Sequence, residues 1–272
     1  MKNRLRKYLI FVKSGFQTVI AYRGSIFLWF IGGIINAAIM CLLWWAIFNA
    51  SPENVIQGYT FPQMMMYMML SAIIGEISFS TTMSEIGEDV REGVIGMRLM
   101  KPINYRSQLG FSTVGGFLAR LLILGVPMIV IATLISVFGF GLSDLKWYNI
   151  LLFVPAVFLA VMFSDTLGFL FGQLAFRTQA MFGVDTIMTV IVGFLSGAMV
   201  PIALFPDWAQ SILYYTPFPS MMSMPIRLFL GQLSPLETVI SFGISALWLT
   251  VLNLIGALLY KASVRHVVVF GG

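Results

Sequence analysis

The stretch 26-IFLWFIGGIINAAIMCLLWWAIF-48 decides the fold class, because it contains no charged side chain. A run of about 20 apolar residues predicts a transmembrane helix, since about 30 Å of hydrocarbon must be crossed at about 1.5 Å per residue. Residues 238–260 form a second charge-free run. Four further segments hold one ionisable residue each: 61–79, 113–138, 151–174 and 182–204. The sequence therefore predicts an all-α polytopic membrane protein with six transmembrane helices.

The distribution of lysine and arginine predicts how these spans are oriented. Most of the basic residues precede the first span, lie between spans two and three, or follow span six. The positive-inside rule places such segments in the cytoplasm. We therefore expect a multi-pass protein of the cell (plasma) membrane, typical of bacteria, with both termini cytoplasmic. The same rule explains the net charge of +5, so no nucleic acid partner is expected.

Residues 1–24 predict an amphipathic helix ahead of a transmembrane domain at 25–272. The apolar residues recur at spacings of three and four: Leu5, Tyr8, Leu9, Val12, Phe16, Val19 and Ile20. The other face carries cations that suit the anionic headgroups of a lipid surface. The alternative is a basic leader that only sets the orientation of the first span.

The loop 84–112 concentrates charge in an otherwise apolar chain. Its first half contains five charged residues, with Ser84 as a possible helix cap: Glu85, Glu88, Asp89, Arg91 and Glu92. Gly93 then provides a hinge, a short apolar patch follows, and Pro102 ends the unit. Acidic and basic residues balance across the loop, which a segment needed only for orientation does not require. We interpret the loop as a docking element, and a solvated loop is the alternative.

Two motifs resemble those of ABC-2 type exporter permeases. The first is Arg91-Glu92-Gly93, followed by Leu99 and by Lys101-Pro102-Ile103-Asn104. The second is 197-GAMVPIALFPDWAQSILYYTPFPSMMSMPIRLFLGQ-232, with its Pro, Phe-Pro-x-Trp and Pro-Phe elements in order. The resemblance implies that residues 1–24 form an elbow helix and that the loop contains a coupling helix.

The resemblance further implies that the chain is half of a transporter. A separate nucleotide-binding ATPase subunit would use ATP and Mg and would contact the coupling residues: Glu85, Glu88, Asp89, Arg91, Glu92, Lys101 and Pro102. A second permease chain, identical or a non-identical sibling, would complete the pathway within the membrane lipid. The sequence has no GxxxxGK[ST] phosphate-binding loop. We therefore expect this chain to bind no cofactor itself and not to be an enzyme.

Four ionisable residues lie within the predicted spans: Glu76, Arg120, Asp165 and Asp185. Charges in hydrocarbon are costly, so they are normally paired or face a pathway. We predict that Arg120 pairs with Asp165, or with Glu76 if the second span is the nearer neighbour. A structural ion pair is expected rather than a substrate site. No nucleophile, base and orienting group cluster, so no catalytic residues are predicted.

Residues 200–235 predict re-entrant or interfacial helices on the extracellular side, because prolines divide apolar runs that are too short to span. Candidates for an outer gate are Pro201, Phe205, Pro206 and Trp208, and a structured cap without a gating role is the alternative. In span two, Met65, Met68 and Met69 are candidates for lining a pathway for apolar substrates. A metal site at these methionines is not expected, because no Cys or His lies nearby.

Three functions are open at this point. The first is the permease subunit of an ATP-binding cassette exporter, which would export a hydrophobic or amphipathic compound such as a drug, a toxic cation, a peptide or a lipid-like molecule. The alternative is a proton- or ion-coupled secondary transporter, a class that favours internal repeats and broken helices with ionisable groups at the midplane. The third is a membrane scaffold without transport activity.

Overall fold

The computed structural model describes residues 2–100, 102–139, 147–178 and 181–263 of the chain. Five helical segments are long and apolar enough to cross a membrane: Arg23–Ala50, Phe61–Arg91, Tyr105–Gly139, Trp147–Phe176 and Pro235–Ser263. The apolar helix Met181–Leu195 is shorter. The prediction of an all-α polytopic membrane protein is confirmed.

The elements follow one another in a simple order: α1 (Lys2–Ala21), α2 (Arg23–Ala50), β1 (Val55–Ile56), β2 (Tyr59–Thr60), α3 (Phe61–Ser78), α4 (Thr82–Arg91), α5 (Ile95–Leu99), α6 (Tyr105–Arg120), α7 (Val126–Leu134), α8 (Trp147–Gly172), α9 (Met181–Leu195), α10 (Asp207–Leu213), α11 (Ser223–Phe229) and α12 (Pro235–Ser263). Two π-helical turns, Leu121–Gly125 and Ile135–Gly139, make α6 and α7 one continuous span. Short 3₁₀ turns occur at Gln173–Phe176, Ile202–Leu204 and Phe218–Met221.

Helix α1 packs against α6 at very short range. Gly15 lies against the main-chain carbonyl of Ser112, and Gly115 lies against that of Val12. A Cβ atom at either glycine would collide with the facing backbone, so these positions admit no side chain without moving the helices apart. One face of the predicted amphipathic helix therefore contacts protein, and its exposed apolar residues lie elsewhere: Leu9, Ile10 and Ile20.

A two-stranded hairpin connects α2 to α3, which a purely helical prediction does not include. It turns at Gln57-Gly58, where both residues have positive φ, and its antiparallel register pairs Val55 with Thr60 and Ile56 with Tyr59. Thr60 then starts α3 through a capping box. Its amide donates to the side chain of Gln63 at 3.0 Å, and the Gln63 amide donates back to its hydroxyl at 3.5 Å.

Helix α9 ends at Leu195, so the predicted span 182–204 is not one helix. Its 15 residues reach only about 22 Å, against about 30 Å of hydrocarbon. Gly197 stops the helix in a left-handed conformation with φ +85°. The amides of Ala198 and Met199 then donate to the carbonyl of Gly193 at 3.1 and 3.2 Å, which satisfies the helix end. The chain continues in short helices instead of a longer span.

The segment 200–235 contains no helix of spanning length, as its prolines predict. Its last helix, α11, packs against α8 and α3. Ile226 and Phe229 on α11 are fully buried, and the Phe229 ring lies 5.2 Å from the ring of Phe153 on α8. This part of the segment therefore belongs to the core of the bundle.

Helix α3 is the centre of that core. Six of its side chains are completely or almost completely buried: Met64, Met66, Tyr67, Leu70, Ile74 and Ile77. Met65 and Met68 are only 6% and 3% exposed, and Met69 packs against the same cluster. Met65 and Met68 are therefore enclosed within the chain in this conformation, and a pathway lined by Met65, Met68 and Met69 stays a prediction. These side chains belong to a core cluster that also contains residues of α2, α6, α8 and α11.

The α1–α6 contact can be tested with a pair of glycine variants. We expect Gly115→Ala to lower the free energy of unfolding by about 1–3 kcal/mol, the usual cost of overpacking. Gly24→Ala is the matched control, because a Cβ at Gly24 meets no atom within 4 Å. This control should change stability by less than about 1 kcal/mol. Thermal unfolding of both variants in detergent gives the comparison, and equal stability would contradict the close packing.

Candidate coupling site

Residues 82–100, which we call the linker segment, join α3 to α6. Helix α4 begins at Thr82 after Thr81, so the prediction that Ser84 caps this helix is wrong. The Ser84 hydroxyl instead donates to the Thr81 carbonyl at 3.0 Å. Gly93 separates α4 from α5 with φ +72°, a conformation that favours glycine. The linker segment is thus two short helices around a glycine hinge.

The inner face of the linker segment is packed onto α8. Ile86 on α4 and Ile95 on α5 are buried in a cluster with side chains of α6 and α8. A Cβ at Gly172 would lie 2.7 Å from the Ile86 side chain, and one at Gly168 would lie 3.3 Å from the Met83 amide. The small residues of α8 therefore allow the backbone of α4 to approach closely.

Asp89 belongs to this inner face and is only 4% exposed. Its Oδ2 accepts a hydrogen bond from the Tyr105 hydroxyl at 2.7 Å and forms an ion pair with Arg98 Nε at 3.0 Å. One carboxylate therefore ties α4 to α5 and α6. The carboxylate faces inwards in this conformation, and contact between Asp89 and a partner subunit stays a prediction.

The other predicted coupling residues lie towards the outer face. Glu88, Arg91 and Glu92 are exposed, and the contact of 4.0 Å between the Arg91 and Glu92 side chains is too solvated to contribute much stability. Glu85 is partly buried and accepts a hydrogen bond from the Thr81 hydroxyl at 2.6 Å.

Beyond the hinge, the outer face is apolar. Met97 and Met100 are 60% and 79% exposed, and Pro102 is exposed too. Lys101 lies outside the described residues. The outer face thus combines charged side chains with flexible apolar ones, a combination suited to a protein groove.

A second buried carboxylate, Asp165 on α8, connects the start of the linker segment to the spans. Asp165 is 1% exposed. Its oxygens accept hydrogen bonds from the hydroxyls of Thr82 at 2.5 Å and Thr113 at 2.9 Å, and it forms an ion pair with Arg106. Arg106 also donates to Asn253 on α12 at 3.3 Å. The Asp165 carboxylate therefore connects α8 to α4 and α6 directly, and to α12 through Arg106.

The predicted pair between Arg120 and Asp165 is wrong, because Arg106 occupies that position. Helix α6 begins at Tyr105, two turns before the predicted start at residue 113, so Arg106 is on the helix and not in a loop. Arg106 and Thr113 are seven residues apart and share one helical face. Both side chains can therefore reach Asp165.

Arg120 has different surroundings. Its Nη2 donates to the carbonyl of Phe79, and its guanidinium lies over the Phe79 ring at 5.7 Å. Glu76 is its predicted alternative partner. No direct ion pair between them within 4.0 Å appears among the described side chains. The alternative pairing of Arg120 with Glu76 is therefore not a direct ion pair in this conformation.

A cavity of about 600 Å³ lies at the opposite end of the bundle, between the hairpin and the segment 200–235. Polar side chains line much of it, among them Gln63, Gln210 and Arg227. Burial raises the pKa of Tyr59, another lining residue, to about 12. A phenol is already protonated at neutral pH with its ordinary pKa of about 10, so the raised pKa only strengthens the preference of Tyr59 for the form that can donate a hydrogen bond.

None of the four predicted gate residues lines this cavity: Pro201, Phe205, Pro206 and Trp208. The ring of Phe205 contacts that of Phe194 at 4.9 Å, and Trp208 is 70% exposed. The 3₁₀ turn Ile202–Leu204 contributes to the wall instead. Across the described ranges, no group of three or more His, Cys, Asp or Glu side chains could hold a metal ion.

The fold and the two carboxylate clusters define a multi-pass, all-α membrane protein with a rigidly anchored linker between two spans. The family model described as ABC-2 family transporter protein matches residues 34–270. The chain therefore belongs to the ABC-2 transporter family, as a permease subunit of an ABC transporter. Such a permease is a transport component that is generally not itself catalytic, and the family implies association with an ATP-binding subunit. No curated protein matches the chain.

Sequence reasoning missed the residues that complete the two clusters: Thr82, Arg98, Tyr105, Arg106, Thr113 and Asn253. One signal was available for α6. Asn104 is a favourable N-cap, and its side chain accepts a hydrogen bond from the Ser107 amide at 3.4 Å. A helix that starts after Asn104 places Arg106 and Thr113 on one face. Nothing local in the sequence points to Asn253.

The Asp165 cluster predicts unequal effects for two acids within apolar helices. We expect Asp165→Asn to lower the free energy of unfolding by about 3 kcal/mol or more, because Arg106 loses a buried partner. Asp185→Asn is the matched control, since Asp185 on α9 is exposed, and should change it by less than about 0.5 kcal/mol. Chemical unfolding in detergent measures both values. A tolerated Asp165→Asn would refute the structural role.

Proposed function

We propose that this permease couples to a separate nucleotide-binding ATPase through the outer face of the linker segment. The observation that best supports this proposal is the division of the linker segment into an inner and an outer face. Asp89, Ile86 and Ile95 fix the inner face to the bundle. Glu88, Arg91 and Glu92 are directed outwards beside the exposed Met97 and Met100. By the positive-inside rule this face is cytoplasmic, where ATP is available.

The Asp165 cluster supports the same function by giving the linker segment a route into the membrane helices. Closure of two ATPase subunits would push on the outer face of α4. Thr82 at the start of α4 is bound to Asp165 on α8, and Arg106 extends the connection to α12. Displacement of the linker segment would therefore move α6, α8 and α12 together, and the bundle would change between inward-open and outward-open states.

The exposed apolar helices are consistent with an assembly of two permeases. Large apolar side chains cover the surface of α2 and α12, among them Trp29, Leu42, Leu247 and Leu258. One such face would contact a second permease chain, identical or a non-identical sibling, and the remainder would contact lipid. The translocation pathway would then lie between the two chains, where a hydrophobic or amphipathic compound would be exported.

The outer cavity supplies a further part of this proposal. It lies on the side that the lysine and arginine distribution places outside the cell. Polar side chains and Arg227 line it, and the segment with Pro201, Phe205, Pro206 and Trp208 adjoins it. We propose that movement of this segment relative to α3 opens and closes the outer exit.

The alternative of proton coupling receives less support from the contacts of the buried acids. A proton-coupled carrier needs a carboxylate that exchanges its protein partner for a proton or ion during transport. The oxygens of Asp165 form an ion pair with an arginine and accept hydrogen bonds from two hydroxyl groups. Those of Asp89 contact an arginine and a tyrosine. These acids therefore resemble fixed structural links.

A charge reversal on the outer face tests the coupling proposal. We expect an ATPase to copurify with the wild-type permease in mild detergent, and to be lost from the double variant Arg91→Glu, Glu92→Arg. The variant should keep its thermal stability, because the side chains of both residues are largely exposed. Glu53→Arg is the control, as Glu53 is exposed near the hairpin at the other end. If no ATPase copurifies with any of the three chains, the coupling proposal fails.

Neighbouring acids on α4 give a second test. Glu88→Lys should weaken retention of the ATPase and leave stability unchanged, because Glu88 lies on the outer face. Asp89→Asn should lower the free energy of unfolding by about 1–3 kcal/mol, since Arg98 and Tyr105 lose a charged partner. Retention is measured by copurification and stability by thermal unfolding. The reverse pattern would mean that the two faces of α4 have been assigned wrongly.

A further inference from the structure

The outer cavity, of about 600 Å³, has the size of a site for a small molecule, which is about 300–1,000 Å³. Part of its polar wall is fixed by bonds within the protein. The Gln210 amide donates to the carbonyls of Ala203 and Phe205 at 3.1 and 2.8 Å. Gln63 accepts a hydrogen bond in the capping box of α3. Other polar groups of the same wall have no such role in the fold.

Arg227 on α11 is the charged residue among the described side chains that line this cavity. It is partly buried, and its guanidinium group forms no hydrogen bond or ion pair within the described ranges. Its nitrogens are not fully buried, in contrast to Nε of Arg120. The nearest acid in the sequence, Glu237, accepts a hydrogen bond from the Ser234 amide at 2.8 Å instead. A cation without a protein partner therefore faces the cavity.

Two uncharged polar groups accompany Arg227. The side chains of Tyr59 on β2 and Gln232 after α11 line the cavity, and neither forms a side-chain hydrogen bond in the part of the chain that the structure describes. Burial raises the pKa of Tyr59 to about 12, and the positive charge of Arg227 opposes that rise, so these two side chains are neighbours. Polar groups at such positions normally have partners, which a ligand would supply.

The composition of the wall determines the class of ligand. A guanidinium group binds carboxylate and phosphate oxygens, and no acid lines the described part of the wall to pair with a cation. A phenol and a carboxamide both donate to and accept from hydroxyl groups. The exposed hairpin turn Gln57-Gly58 also lines the cavity. Because this turn connects two spans on the outer side, the cavity is reached from water.

From this arrangement we propose that the outer cavity binds a small, soluble organic anion that carries hydroxyl groups. Its carboxylate or phosphate lies against Arg227, and its hydroxyl groups contact Tyr59 and Gln232. The ligand connects the hairpin with α11 on the outer side of the membrane. This binding does not depend on the ATPase partner or on transport.

The test measures binding of two sugars to the full-length permease in phosphatidylcholine nanodiscs by titration calorimetry. D-glucuronate and D-glucose differ at one carbon, which is a carboxylate in the first and an alcohol in the second. We expect D-glucuronate to bind about tenfold more tightly, the scale of one hydrogen bond to a charged group. Equal affinities, or no binding of either sugar, would overturn the proposal.

A charge variant assigns the preference to Arg227. Arg227→Gln should reduce the affinity for D-glucuronate to that for D-glucose and change the affinity for D-glucose by less than about twofold. Lys13→Gln is the matched control, because it removes one exposed cation from α1, and it should keep the preference. An equal loss of both affinities in Arg227→Gln would mean that Arg227 only supports the fold, and the anion site would be rejected.

A second variant covers the case in which Arg227→Gln folds poorly. Tyr59→Phe removes a hydroxyl group that has no hydrogen-bond partner among the described residues, so it should keep the melting temperature of the wild type. The affinities for both sugars should fall about fivefold, the scale of one uncharged hydrogen bond. Unchanged affinities in the folded variant would contradict the proposed site.

The lipid composition of the nanodisc distinguishes a soluble ligand from a lipid headgroup. Replacing half of the phosphatidylcholine by phosphatidylglycerol should leave the affinity for D-glucuronate unchanged, because the cavity is reached from water. Competition by phosphatidylglycerol would mean that a lipid headgroup occupies the cavity, and a soluble ligand would then be rejected.

Discussion

The carboxylate of Asp165 is the constraint on which the membrane half of the structure depends. A buried carboxylate persists only when charged and hydrogen-bonding partners replace water. Here Thr82, Thr113 and Arg106 supply them from α4 and α6. Because those partners belong to different helices, the requirement to satisfy one charge fixes how α4 and α6 sit on α8. Arg106 extends the same requirement to α12 through Asn253.

The linker segment is held in the same way, by a buried carboxylate whose partners lie on neighbouring helices. Asp89 holds α4, α5 and α6 together, whereas the exposed acids Glu88 and Glu92 have no such internal role. Two kinds of charge are thus interleaved along one short helix. The inward charge orients the element, and the outward charges point away from the bundle. The contacts of Asp89 with Arg98 and Tyr105, and the close approach of α4 to the glycines of α8, oppose rotation of α4 around α8.

Helix α3 connects this end of the molecule with the opposite one. From the middle of α3, the Tyr67 hydroxyl donates to the Gly197 carbonyl at 2.8 Å and the Ser71 hydroxyl donates to the Ala198 carbonyl at 3.0 Å. These bonds hold the turn after α9 beside the outer cavity. After its last turn, the carbonyl of Phe79 is held by Arg120. The methionines in the first half of α3 pack in the core, and methionine side chains are flexible enough to repack when neighbouring helices move.

The sequence by itself determined the local features: apolar runs long enough to span, the glycine hinge at Gly93, and the prolines that prevent a span after Gly197. Each depends on residues close together in the chain. Tertiary structure alone decided which charges meet, because helical periodicity defines a face but not the helix opposite it. Asp165 therefore pairs with Arg106, 59 positions away, and not with Arg120. Burial of Met65 and Met68 and the inward direction of Asp89 were decided in the same way, by the packing of helices that are distant in sequence.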